Sequence, residues 1–80
     1  MYAIELTPEF AQQTTTLHPK RFKQIHLRIF TLQMNPRPPD CVMLDPERYL
    51  VHVGPYAIVY RIDDSQNRIR VFLLVEKEES

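Results

Sequence analysis

The chain has 80 residues, 44% of them apolar, and its ten basic residues are balanced by ten acidic ones. A chain this short forms one domain over residues 1–80 with one core and one shallow site, and a balanced charge excludes a whole-molecule field for nucleic acid or membrane, leaving only local patches. The single Cys41 excludes an internal disulfide and suits a small packed residue in a reducing compartment; with no basic-then-apolar leader and no run long enough to span a bilayer, the expected location is the cytoplasm.

Tyr2, Ile4 and Leu6 alternate with Ala3 and Glu5, which predicts a short first strand. Thr7, Pro8 and Glu9 then supply a cap, a first-turn proline and an acid at the positive end of a helix dipole. The helix they open is weak, because Thr14, Thr15 and Thr16 are poor formers and Phe10, Thr14 and Leu17 give a thin apolar stripe. His18-Pro19 ends it and starts a second helix. There Phe22, Ile25, Ile29 and Leu32 recur at helical spacing, and Leu27, Phe30 and Met34 are expected to widen the buried stripe. Asn35-Pro-Arg-Pro-Pro-Asp40 stops this helix and reads as the one true linker, since its prolines remove amide donors and favour extended neighbours.

Beyond the linker, apolar and polar residues alternate on both sides of Gly54-Pro55, the signature of a β-hairpin with glycine at the first turn position, as in a type II′ turn. A two-residue loop pairs Val53 with Tyr56, His52 with Ala57, Val51 with Ile58, Leu50 with Val59, Tyr49 with Tyr60 and Arg48 with Arg61. A last strand, Arg68–Val75, follows the turn-rich 63–67 segment. Keeping Ile62 on the apolar face sets it opposite Ile69 and Arg61 opposite Arg70. Tyr49, Val51, Ile58, Tyr60, Val71 and Leu73 then face the helices. The other face carries a basic row, Arg48, Arg61 and Arg70, beside His52, with Leu50, Val59 and Phe72 between: half cationic, half apolar, and suited to cover by a partner peptide. The expected fold class is α+β, a small antiparallel sheet with two N-terminal helices on one face in the order β-α-α-β-β-β.

One glycine excludes a phosphate-cradling loop, no Cys/His cluster has metal spacing, and no serine sits in a nucleophile elbow, so neither metal nor cofactor is expected. A histidine beside arginines could clamp a phosphodiester and move a proton. On residue chemistry alone, solvated strand side chains are the simpler account of that group. A solvated face is likewise the simpler account of the basic cluster from Lys20 to Arg28.

The element order, the Asn-Pro-x-Pro loop and the stretch Val53-Gly-Pro-Tyr-Ala-Ile-Val-Tyr-Arg-Ile-Asp-Asp64 together resemble the RelE/ParE superfamily of bacterial toxins, over nearly the whole chain. The resemblance implies a cognate antitoxin that wraps the toxin. It also implies one of two activities: RelE-like cleavage of mRNA in the ribosomal A site, which acts on translation without a metal, or ParE-like inhibition of DNA gyrase. A third possibility is a non-enzymatic module that kept only the antitoxin-binding surface. Carried over by position, His52 falls where a lysine or other proton-transfer group stands, and Ala57 falls where a phosphate-contacting arginine is usual. Divergence, deliberate substitution or a member that never used the arginine would each explain an alanine at a position ill suited to its strand propensity. After the last strand, where an arginine and then a tyrosine are usual, this chain offers only Lys77 among Glu76, Glu78 and Glu79. The implied site is therefore His52, Ala57, Arg61 and Lys77 for catalysis, Arg48, Arg68, Arg70, Lys20 and Lys23 for RNA, and Leu50, Val59 and Phe72 for the antitoxin. Loss of a phosphate-binding arginine implies an impaired nuclease.

Overall fold

Thr7 closes the first strand and opens the first helix: its backbone is extended and its hydroxyl accepts the Phe10 amide at 3.3 Å. In the computed structural model, which describes residues 1–77, the chain runs β1 (Ala3–Leu6), α1 (Pro8–Thr14), α2 (Pro19–Met34), β2 (Val42–Met43), β3 (Arg48–Val53), β4 (Tyr56–Asp63) and β5 (Arg68–Glu76). Glu78 and Glu79 of the acidic tail lie outside the described residues. His18 caps α2 through Nδ1, which accepts the Lys20 amide at 3.2 Å, and Pro19 occupies the first turn where no amide donor is needed.

The strands form one sheet in the order β1-β5-β4-β3-β2, with both helices on one face. The β3–β4 hairpin has the expected register from Arg48↔Arg61 to Val53↔Tyr56, and Gly54 turns it at φ 56°, the sign its turn position requires. Ile62↔Ile69 and Arg61↔Arg70 also pair as expected. Phe10, Ile25, Ile29, Leu32, Val51, Ile58, Tyr60 and Val71 fill the layer between sheet and helices. At about 2 kcal/mol each, Ile25, Ile29 and Leu32 anchor α2. The Tyr60 hydroxyl, deep in this layer, donates to the Pro36 carbonyl at 2.7 Å, and burial holds the phenol well above its ordinary pKa. No described helix is long and apolar enough to cross a membrane.

Four features depart from the sequence expectation. The sheet is mixed rather than antiparallel, because β1 lies parallel to β5 at one edge. Tight turns force antiparallel neighbours, whereas β1 joins the rest of the sheet through two helices and is free of that rule. Second, Val42–Met43 adds a two-residue strand against β3, too short for any alternation to be visible. Third, β5 contains a bulge: Tyr60 pairs with Val71 but Val59 pairs with Leu73, so Phe72 is the extra residue. Alternation is reset there, and Leu74, not Leu73, is buried beneath the helices. Fourth, Leu27, Phe30 and Met34 are exposed rather than buried. A single helix layer has only one side to give to the sheet, and Ile25, Ile29 and Leu32 occupy it.

Candidate functional site

The sheet face away from the helices is a grid built by register. Arg48, Arg61 and Arg70 form one row across β3, β4 and β5, and Glu5 of β1 continues it. Leu50, Val59 and Leu73 form the next row, and His52, Ala57 and Val75 the third. Val59 and Ala57 are only 6% and 3% exposed although they lie on the face away from the helices, between the strands β3 and β5. The centre of the face is thus an apolar floor. His52 stands exposed at its side.

Three like charges in a row are costly unless each is neutralised. Here carboxylates do so: Arg48 Nε donates to Asp45 at 2.6 Å, Arg61 lies 2.5 Å from Glu47, and Arg70 Nε donates to Glu5 at 3.2 Å, with Arg68 at 3.9 Å from the same group. The Arg48 guanidinium, followed by the Glu47 amide, holds the Asp45 carboxyl below its ordinary range. All these partners are partly solvated, so each pair is weak, and an incoming anion can exchange for the carboxylate. Arg61, Asp63, Gln66, Arg68 and Arg70 line an open depression at this end of the face.

The structure therefore brings His52, Ala57, Arg61, Arg48, Arg70, Leu50 and Val59 onto one surface. Arg68 sits beyond the row, next to the β4–β5 turn. Phe72, at the bulge, is half-buried, and Leu73 takes the place beside Val59 that was expected for it. The Lys77 amide donates to the Pro55 carbonyl at 2.8 Å, which ties the end of β5 to the hairpin tip near His52 and Ala57. Lys20 and Lys23 are not part of this surface, since they stand on α2 in the helix layer.

Residue spacing gave no sign of Asp40, Arg37 or Asp64. Asp40 accepts from the Arg28 side chain at 2.5 Å, and that bond holds its carboxyl below the ordinary range. Arg37 grips Asp64 with two donors at 2.8 and 3.3 Å, lies 5.2 Å over the Tyr49 ring, and shares Asp64 with the Tyr2 hydroxyl at 2.6 Å. The Arg37 bonds, and then the Tyr2 bond, hold Asp64 below its ordinary range. This clasp joins the N-terminus, the proline loop and the β4–β5 turn. Among the described residues no three His, Cys, Asp or Glu side chains gather as metal ligands.

No family model and no curated protein matches the chain. Solved structures do. The isolated Escherichia coli RelE toxin superposes with a TM-score of 0.88 at 17% identity, over 100% of this chain and 88% of that one. The archaeal RelE–RelB complex from Pyrococcus horikoshii gives 0.85 at 13% identity over 99% and 98%, and the toxin–antitoxin complex RelBE2 of Mycobacterium tuberculosis gives 0.83 at 19% over 95% and 98%. The fold is that of the RelE toxins.

Proposed function

We propose that this chain is the toxin half of a toxin–antitoxin pair, RelE-like in acting on mRNA at the ribosome, with weak cleavage as its sequence stands. The observation that carries the reading is the likeness to an isolated RelE toxin over the whole chain. The chemistry would be electrostatic. His52 would move a proton at the reacting hydroxyl, with Lys77 as the nearby cation at the hairpin tip, while Arg61 and Arg70, two rows away and released from Glu47 and Glu5 by incoming phosphates, would hold the adjoining RNA backbone and set the field at the site. Arg48 and Arg68 would extend the contact with the RNA backbone.

Two observations support weak cleavage. Ala57 leaves the middle of the face without a cation, and the arginine row is already neutralised by carboxylates. The same apolar floor, Leu50 and Val59 with Leu73 and the flanking Phe72, favours the antitoxin as its occupant. Four of the similar solved structures are named as complexes of such toxins with an antitoxin or an antitoxin peptide, and this chain is read as having a cognate one.

The apolar floor also favours a second reading, a non-enzymatic module that keeps only this protein-binding surface. Induction of the chain alone and together with the product of the neighbouring reading frame tests the proposal. Growth arrest and loss of translation that the neighbour relieves support it. Arrest with inhibited DNA supercoiling would point to gyrase instead, and a complex without any arrest would leave the binding module.

A further inference from the structure

The solvent side of α2 has the make-up of an interface rather than of a surface. Leu27, Phe30 and Met34 are 54%, 61% and 76% exposed. Their i, i+3, i+7 spacing stacks them in one continuous stripe, opposite the core-facing Ile25, Ile29 and Leu32. Scattered exposed apolar residues need no explanation, whereas a contiguous stripe marks a contact. Charge identifies the contact. The 16 residues of α2 include four lysines and arginines and no acid. Arg28 is tied to Asp40 and Arg21 reaches toward the Gly54 turn, but Lys20 and Lys23, at the N-terminal end of the stripe, have no carboxylate partner among the described residues.

We infer that α2 is a docking stripe for an amphipathic helix of a partner protein, one whose apolar side is flanked by acidic residues. Leu27, Phe30 and Met34 provide the apolar contact, and Lys20 and Lys23 fix the direction and register of the incoming helix. A second copy of this chain fits poorly, because its α2 carries no acid to meet Lys20 and Lys23. A membrane surface fits poorly too: an interfacial helix carries cations along the length of its polar face, whereas the free cations of α2 are confined to one end of a three-residue stripe. The inference does not rest on the nuclease reading, since the stripe lies in the helix layer and uses none of the sheet-face residues.

The test uses two synthetic amphipathic peptides of equal length, with one leucine stripe flanked by glutamates in the first and by lysines in the second, added to the isotope-labelled full chain. The glutamate peptide is expected to shift the amides around Leu27, Phe30 and Met34 and to lose at least about tenfold in affinity against Leu27→Ser/Phe30→Ser/Met34→Ser. A second variant, Lys20→Glu/Lys23→Glu, leaves the apolar stripe and the core intact and should reverse the preference between the peptides. The inference is overturned if the two peptides bind alike, if neither binds, or if the shifts map to the sheet face. It is also overturned by self-association that the triple variant abolishes, or by stripe-dependent binding to phosphatidylserine vesicles in place of the peptide.

Discussion

Gln13 of α1 holds Leu74 of β5 by both ends of its amide: Nε2 donates to the Leu74 carbonyl at 2.8 Å and Oε1 accepts the Leu74 amide at 2.9 Å. β1 covers the outer edge of β5 only from Arg68 to Val71, and beyond that an unpaired strand edge would face the solvent. One side chain stands in for the missing strand. Gln13→Ala should cost about 1–2 kcal/mol, because it strands two partly buried backbone groups. Gln13→Glu should lose nearly as much, since a carboxylate can accept from the amide but has nothing to donate to the carbonyl. Urea denaturation of the three proteins checks the order.

The bulge makes neighbouring leucines unequal. Leu74→Ala empties a core position and is expected to cost about 2–4 kcal/mol, while Leu73→Ala on the outer face should cost less than about 1 kcal/mol. A larger loss at Leu73 in the same denaturation series would return the strand to plain alternation.

These two leucines mark where the sequence stops being informative. The hairpin register followed from alternation around Gly54-Pro55, and the two helix starts from Thr7-Pro8 and His18-Pro19, because each depends on contacts a few residues apart. A bulge at Phe72 leaves no trace in residue type, and the direction of β1 depends on a partner strand at the far end of the chain. The α2 stripe is not legible in the sequence, because apolar residues at helical spacing occur on both sides of the helix and spacing does not say which side the sheet takes. The arginine row itself was legible. Its neutralisation was not, since Glu5 meets Arg70 only through the β1–β5 pairing.

Acid should loosen the molecule at the Arg37–Asp64–Tyr2 clasp. The Asp64 carboxyl is held below its ordinary value of about 3.9, first by Arg37 and then by Tyr2, so near that pH the folded state binds fewer protons than the unfolded one. The stability this group contributes is complete above the ordinary carboxylate range and is lost as pH falls through the lowered folded value. Asp64→Asn removes the titrating group, and its denaturation midpoint should fall less steeply than that of the parent between about pH 5 and about pH 2. Parallel slopes would mean that the clasp does not couple to protons.

Freeing the arginines should strengthen RNA binding. In Glu5→Gln/Glu47→Gln, Arg70 and Arg61 lose their carboxylates, and affinity for single-stranded RNA should rise, with a salt dependence steeper by about one to two phosphate contacts. Folding stability should change by less than about 1 kcal/mol, as expected for solvated ion pairs. Unchanged affinity would remove the arginine row from the RNA surface.

Position 57 tests the account most directly. An arginine there would rise from the apolar floor between His52 and Val75 and carry its guanidinium into solvent, at a stability cost of about 1 kcal/mol. The measurement is primer extension on a message under translation in a purified ribosome system, with the parent chain and with Ala57→Arg added in turn. The account predicts weak codon-phased cuts from the parent and cuts about a hundredfold stronger from the arginine variant, the gain expected when one charge-stabilising donor is restored. A well-folded Ala57→Arg protein that leaves the message as intact as the parent does would contradict the nuclease reading.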